Sequence, residues 1–357
     1  MVRTPGQRVS TACLVMARRS RVGTQNESQE EIIDVHAHYL APSVVEHIWR
    51  GAFGEHVRAA GSGDEVRFQF RTTTSLPLFA GMTDLRERIR HLDQRGIDIQ
   101  VLSTWIDMFG YDLPEDTAVR YHTAVNEGLA EGVQKHPDRL RFLASVPLPW
   151  GEAAAAVLRD AVSRLGAVGS MIGTNIDGSN LDDPRFEPFW TASEQLGCPV
   201  ELHPVNVAGA ERLTGYQLAN FLGNPFDTTV AGASLIFGGV LDQHPALDVI
   251  LVHGGGYLPQ AVSRMTHGRR ARGVAPGLAR EPVNYLGRFH YDTILYDSRL
   301  LAMLRDLVGL DRMLLGSDYP FDMEPPDVVG TARAALGEHA PRLLAANARR
   351  LLDREPA

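Results

Sequence analysis

Short apolar stretches recur along this chain and are separated by longer amphipathic ones. Eight of them have the length and composition of buried parallel strands, and they lie at residues 32–35, 97–102, 140–146, 168–172, 200–202, 249–252, 291–295 and 313–315. Stretches between them have helical periodicity and begin with a capping residue or proline, as at residues 83–94, 114–135, 152–165 and 184–196. Eight strand–helix repeats without a phosphate-binding glycine motif predict an α/β fold, a closed (β/α)8 TIM barrel.

Two regions do not follow this alternation. Residues 1–30 are polar and arginine-rich, and their apolar run at residues 11–17 is too short for a signal peptide, so they are predicted to be a flexible N-terminal extension. Residues 31–357 are then a single barrel domain. The connection after the first strand is long, and residues 43–82 are predicted as a lid insertion, in which the alternating stretch 65–72 indicates a hairpin over the barrel mouth.

Composition narrows the classes of partner. A net charge of -8 argues against a nucleic-acid partner, because proteins that bind polyanions usually carry a basic surplus. No stretch is long and apolar enough for a transmembrane helix, so no membrane association is expected. The two cysteines, Cys13 and Cys198, are too few for a disulfide framework and fit a reducing cytoplasm. A small-molecule partner is therefore expected.

Histidines and one aspartate stand at the ends of predicted strands. His36 and His38 follow the first strand, and residues two apart in an extended chain face the same side. His203 ends the fifth predicted strand, His253 the sixth and Asp318 the eighth. Because the C-terminal ends of barrel strands meet at one face, these side chains are expected to converge. Imidazole nitrogens with a carboxylate are the ligand set of zinc or a similar divalent ion.

The motifs around these residues resemble those of a known family. IIDVHAHYL, ELHP, ILVHGGGYLP and MLLGSDYPF are similar to the aminocarboxymuconate semialdehyde decarboxylase branch of the amidohydrolase superfamily, and the resemblance covers residues 32–352. It implies a mononuclear metal barrel, commonly a homodimer, that removes a carboxyl group without an organic cofactor. It assigns one divalent metal, zinc first and manganese, iron or cobalt as alternatives, to His36, His38, His203 and Asp318.

The resemblance also assigns roles in catalysis and substrate binding. His253 matches the catalytic histidine that transfers a proton, and Asp318 serves catalysis as well as the metal. Arg71, in the first-loop insertion, is expected to bind a substrate carboxylate, and Arg264 to reach into the site of the partner subunit. The chain has a single lysine, Lys135, at the end of a predicted helix, so a carboxylated lysine bridging two metals is not expected.

The resulting hypothesis is a metal-dependent, non-oxidative decarboxylase of an unsaturated, cyclic or aromatic carboxylic acid. Two alternatives are open. The same scaffold could hydrolyse an amide, a lactone or a carbon–carbon bond, or hydrate its substrate, because one fold and even one metal site host several chemistries. A catalytically silent barrel that only binds a ligand is the other alternative, and the complete set of ligands together with His253 argues against it.

Overall fold

The computed structural model describes residues 31–353, and eight parallel segments in them close into a barrel. The strands are β1 Ile33–Tyr39, β2 Arg58–Ala60, β3 Arg67–Gln69, β4 Ile99–Thr104, β5 Leu140–Phe142, β6 Ser170–Gly173, β7 Val200–His203, β8 Val249–Leu251 and β9 Phe289–Tyr291. β1, β4 and β5 pair in parallel in that order, as do β6 to β9. A bridge between Ala144 and Ser170 joins the two groups.

Residues 313–315 occupy the eighth position of the barrel. Met313 forms a parallel bridge with Tyr291 of β9, and Leu315 forms one with Asp34 of β1. The predicted (β/α)8 barrel is thereby confirmed. The seventh strand, predicted at 291–295, is wrong in its bounds and lies at Phe289–Tyr291, because the chain turns where the Asp292 carboxylate accepts backbone hydrogen bonds.

Amphipathic helices surround the strands. They are α1 Pro42–Trp49, α2 Leu85–Arg95, α3 Glu115–Lys135, α4 Gly151–Leu165, α5 Glu187–Gln195, α6 Asn224–Phe237, α7 Val240–Gln243, α8 Leu258–Arg272, α9 Ser298–Val308, α10 Val328–Leu336 and α11 Ala340–Leu352. α2 shows how local sequence sets their bounds: the Asp84 carboxylate accepts from two first-turn amides, and Gly96 ends the helix in the left-handed conformation. No helix in residues 31–353 is long and apolar enough to cross a membrane.

The insertion after β1 contains α1 and a two-stranded antiparallel hairpin. Its strands are β2 and β3, so the alternating stretch 65–72 supplies one strand and the residues before it supply the other. The turn between them needs Gly61, whose φ is +94° and where a Cβ atom would lie 2.3 Å from the carbonyl oxygen of Glu65. The predicted N-terminal extension, residues 1–30, lies outside the described residues.

Candidate metal centre and the cavity beside it

The first strand places two histidines at the C-terminal end of the barrel, and both rings are completely buried. His36 Nδ1 lies 2.8 Å from Oδ2 of the buried Asp292. His38 Nδ1 lies 3.0 Å from the carbonyl oxygen of Thr104. An acceptor at Nδ1 favours the tautomer that carries its hydrogen there, and Nε2 of each ring is left with a free lone pair.

His203 and Asp318 complete a group of four from the strands on the other side. His203 is the last residue of β7, and its Nδ1 lies 3.1 Å from the carbonyl oxygen of Pro204. Asp318 follows the segment 313–315 in a left-handed conformation, with φ of +63°, and its amide donates to the carbonyl oxygen of His36 at 2.9 Å. Backbone strain of this kind collects at functional sites, where the surrounding structure holds it in place.

The ligand-capable atoms of these four residues lie within 4.8 Å of one another. Nε2 of the three histidines and Oδ1 of Asp318 are buried and have no hydrogen-bond partner among the described residues. Oδ1 of Asp318 is 3.5 Å from Nε2 of His36 and 3.2 Å from Nε2 of His38. Two ligand atoms on a tetrahedral zinc-sized ion stand about 3.4 Å apart, so the group fits one divalent metal ion.

The electrostatics of the group favour a cation at its centre. Burial lowers the pKa of His38, and burial with the neighbouring histidines lowers that of His203 well below its usual value, so the neutral form of both rings, which a metal ion would bind, is favoured. For Asp318, burial works to raise the pKa, but the neighbouring imidazoles of His253, His38 and His36 hold it well below the usual range.

His36 behaves differently from the other two histidines. Burial works to lower its pKa, but the hydrogen bond with Asp292 and the charge of Asp318 outweigh burial and raise the pKa to about 10. These carboxylates make the position attractive for positive charge, whether a proton or a metal ion supplies it. A bound metal ion would replace that proton on Nε2.

His253 lies next to the group of four and outside it. It directly precedes three glycines with positive φ, and its own φ is +54°. Gly256 is required in this turn, because a Cβ atom there would lie 1.9 Å from the carbonyl oxygen of Pro225. His253 Nε2 is 3.8 Å from Oδ2 of Asp318, which is too long for a hydrogen bond. The side chain therefore stands beside the metal position without sharing its ligand atoms.

Comparison with known proteins identifies the family of this chain. The sequence pattern of the amidohydrolase family matches residues 33–354. This chain belongs to the amidohydrolase family. It is 35% identical over 277 residues to the 2-amino-3-carboxymuconate-6-semialdehyde decarboxylase of Dictyostelium discoideum. The aligned region covers 75% of this chain and 76% of that protein. The resemblance to this branch of the amidohydrolase superfamily is confirmed, and the chain is an enzyme of the family.

Two solved structures share the fold. A 2,6-dihydroxybenzoate decarboxylase in complex with 2,6-dihydroxybenzoate has a TM-score of 0.74 at 26% identity. This match covers 91% of the present chain and 100% of the decarboxylase chain. The dihydroxybenzoic acid decarboxylase of Polaromonas sp. JS666, with bound manganese and the inhibitor 2-nitroresorcinol, has a TM-score of 0.74 at 24% identity. This match covers 91% of the present chain and 97% of the Polaromonas chain. Both confirm the barrel.

The candidate metal centre of this amidohydrolase opens into two adjoining cavities. One, of about 380 Å³, is bordered by His203 and Asp318. The other, of about 250 Å³, is bordered by His253 and Asp318. Both are also lined by the same four residues, Asn220, Phe221, Asn224 and Met323. A small molecule in these cavities would lie beside the four-residue group and His253.

The structure does not bring the two predicted arginines to these cavities. Arg71 is exposed in the insertion, and its guanidinium donates to the carbonyl oxygen of Asp112 at 2.9 Å. Arg264 is exposed on α8. Neither residue lines the cavities next to the metal position. Within one chain, the described lining residues of these two cavities include no arginine or lysine.

Sequence reasoning missed the residue that orients His36. Asp292 is completely buried, its Oδ2 faces His36 Nδ1, and its Oδ1 accepts from the amides of Gly254 at 2.7 Å and Ile294 at 3.1 Å. Its carboxylate thus links the end of β9 by hydrogen bonds to the turn that follows His253 and to His36 of β1. An acid directly after a short apolar stretch was the available signal, but the predicted strand 291–295 ran through it.

Proposed function

We propose that this chain is a metal-dependent, non-oxidative decarboxylase, a carbon–carbon lyase that acts on an unsaturated, cyclic or aromatic carboxylic acid. In this proposal His36, His38, His203 and Asp318 hold one divalent metal ion, and His253 is the acid–base residue. The supporting observation is the set of four unpartnered ligand atoms, two of which belong to residues that border the cavities, His203 and Asp318. The decarboxylases among its relatives point to the same reaction.

In the proposed reaction the bond between the carboxyl carbon and its neighbour breaks. The electron pair stays on the substrate carbon, CO2 leaves, and a proton takes the place of the carboxyl group. A bound divalent cation supplies positive charge that stabilises an electron-rich transition state. His253 borders the smaller cavity, where it can hold the proton and deliver it to the carbon.

The two carboxylate oxygens of Asp318 have different surroundings. Its Oδ1 belongs to the ligand group, whereas its Oδ2 is the oxygen nearer to His253. Asp318 is therefore proposed as a metal ligand through Oδ1, with Oδ2 placed 3.8 Å from Nε2 of the proposed acid–base residue His253.

The identity of the metal is the next part of the proposal. Three imidazole nitrogens and one carboxylate oxygen suit zinc first, and manganese, iron or cobalt are alternatives. No organic cofactor is required by the reaction. Elemental analysis of protein purified without added metal should give close to one equivalent of one divalent ion per chain. Protein that is active with no bound metal would contradict the site.

The carboxylate of the substrate needs a cationic partner, and Arg71 and Arg264 are proposed for it. Arg71 would have to leave the Asp112 carbonyl oxygen and turn towards the cavity. A planar guanidinium can take a carboxylate through two hydrogen bonds, and losing them costs roughly 1.5–3 kcal/mol. Arg71→Ala should therefore lower kcat/KM roughly ten- to a hundredfold.

Arg264 is proposed to act across a homodimer. A complementation experiment tests this directly. Mixing Arg264→Ala subunits with His253→Asn subunits creates dimers in which one site has its own His253 and the intact Arg264 of the other subunit. Recovery of activity in the mixture supports action across the interface. Mixed dimers that regain no activity, or a fully active monomer, would contradict it.

One experiment separates decarboxylation from the alternatives. Aromatic and unsaturated acids bearing an oxygen or nitrogen next to the carboxyl group should release CO2 and take up deuterium from D2O at the vacated carbon. The hydrolase or hydratase alternative is favoured by the absence of a cationic residue from the two described cavity linings. Incorporation of 18O from water into the product without CO2 release would establish that alternative. A cytoplasmic location is part of the same proposal.

A further inference from the structure

The second helix carries an arginine that is buried completely. Arg88 lies in α2, and none of its surface is exposed, whereas Arg86 and Arg90 of the same helix are exposed. Its guanidinium donates to Oε1 of Gln100 at 2.7 Å and to the carbonyl oxygen of His38. Burying a charge is costly unless fixed dipoles and hydrogen bonds replace water, so this placement calls for a specific reason.

Two aromatic rings also contact the buried charge. Cζ of Arg88 lies 4.7 Å from the ring centroid of Tyr319 and 5.6 Å from that of Tyr39. Both distances fall in the range of a cation–π interaction. Tyr319 directly follows Asp318, so Arg88 contacts the chain next to the ligand of the eighth segment as well as the ligand His38 of β1.

Gln100 extends the network to a buried carboxylate. Its Nε2 donates to Oδ2 of Asp34 at 2.7 Å. Oδ1 of Asp34 accepts from the backbone amides of His36 at 3.2 Å and Ser317 at 3.0 Å. Ser317 Oγ donates to Oδ2 of Asp34 at 2.6 Å and in turn accepts from the amide of Tyr319 at 3.1 Å.

This network thus forms hydrogen bonds with the backbone of His36 and His38 and with the residues on both sides of Asp318. It therefore contacts the chain at three of the four candidate ligands. We propose that Arg88 is a positioning residue, which acts through Gln100 and Asp34 to set the backbone of β1 against the segment that carries Asp318. The inference rests on the proposed metal site. Ligand atoms must stand within a few tenths of an ångström of their ideal places, and Asp318 reaches its place only through a strained backbone conformation.

The chemistry of arginine explains why this residue type is used. The guanidinium is planar, with donors in fixed directions, so one side chain can hold the His38 carbonyl oxygen and Gln100 at the same time. A lysine has a single ammonium group on a flexible stem and can serve one acceptor well. A methionine fills similar space and serves neither.

The test measures metal binding without any substrate. Wild-type protein, Arg88→Met, Arg88→Lys and Gln100→Met are stripped with a chelator and titrated with Mn²⁺ and with Zn²⁺ against a chromophoric competitor. We expect Arg88→Met and Gln100→Met to weaken binding of both ions ten- to a hundredfold, as loss of groups that orient metal ligands does. Arg88→Lys should fall between them and wild type. Arg90→Met, on the exposed side of the same helix, is the matched control and should bind as wild type does.

A purely structural role for Arg88 predicts a different pattern. The melting temperature would then fall equally with and without metal, and the metal-induced rise in melting temperature would stay at its wild-type size. That result, or wild-type metal affinity in both Arg88→Met and Gln100→Met, overturns the inference. If those variants do not fold, Ser317→Ala removes one hydroxyl of the network and should still weaken metal binding severalfold; unchanged binding would overturn it too. Wild-type protein that binds metal but releases no CO2 contradicts the proposed decarboxylase activity alone.

Discussion

Replacing Asp292 with asparagine tests how His36 is held. In the structure Asp292 Oδ2 accepts from His36 Nδ1, while Oδ1 accepts from two backbone amides, those of Gly254 and Ile294. An asparagine of the same shape must put its NH2 group at one of these two ends. Because the two amides can only donate, they hold the carboxamide oxygen, and the NH2 group is left facing His36 Nδ1.

That arrangement reverses the tautomer of His36. The imidazole must then accept at Nδ1, which places its hydrogen on Nε2, the atom that should bind the metal. The opposite orientation of the asparagine points its NH2 group at two buried amide donors and leaves them without an acceptor, which costs roughly 1–3 kcal/mol. Either way we expect Asp292→Asn to weaken metal binding by about ten- to a hundredfold, equivalent to roughly 1.4–2.7 kcal/mol.

The assay is competition between stripped protein and a chromophoric chelator, followed by activity at saturating metal. Asp306→Asn makes the same change of charge on the exposed side of α9 and serves as the control. Crystals of the asparagine variant would show the ring of His36 rotated or displaced. If Asp292→Asn binds the metal as tightly as wild type, hydrogen bonding at Nδ1 does not control the ligand, and the reasoning is refuted.

Three further outcomes are expected. His253→Asn should abolish turnover and keep one equivalent of metal, whereas His203→Asn should lose the metal; equal loss in both would place His253 among the ligands. Burial lowers the pKa of His122 to about 3 in the folded protein, whereas its value in the unfolded chain is near 6.5. The free energy of unfolding should therefore fall by up to about 1.4 kcal/mol per pH unit as the pH drops below 6.5. His122→Gln should reduce that slope, measured by chemical denaturation. Deleting residues 1–30 should leave metal content and kcat/KM unchanged, because every proposed site residue lies beyond them.

The barrel and the candidate ligands could be predicted because both leave local traces in the sequence. Buried parallel strands give short apolar stretches, and the candidate ligands lie at or near the ends of these stretches, as His203 does at the end of β7. Convergence then follows from the architecture, since all strand ends meet at one face. Four residues from three distant parts of the chain could therefore be grouped without knowing any loop conformation.

The roles of Asp292 and Arg88 could not be predicted from the sequence, for different physical reasons. The seventh strand was predicted to end at residue 295 but ends at Tyr291, so Asp292 lay inside the predicted strand and was not considered as a strand-end residue. Arg88 looks like any other helical arginine, because its burial depends on how α2 packs on β1 and β4. The predictions for Arg71 and Arg264 depend on loop and subunit geometry, which an apolar pattern does not encode, and the single chain leaves both arginines exposed.

The balance of charge at the site explains why the proposed acidic substrate would need a cation beyond the proposed metal ion. A divalent ion is matched by the carboxylates of Asp318 and Asp292, both of which hold their pKa below the usual value against the effect of burial. Glu201 is buried nearby with neither carboxyl oxygen hydrogen-bonded in the described residues, and burial raises its pKa to about 8, so it adds little negative charge at neutral pH. The occupied site would then be close to neutral, and a substrate carboxylate would find no surplus positive charge there. In the proposed function, binding of an acid would therefore draw on Arg71, after it leaves the Asp112 carbonyl oxygen, or on Arg264 from a second subunit, whereas a product without the carboxylate would need neither arginine.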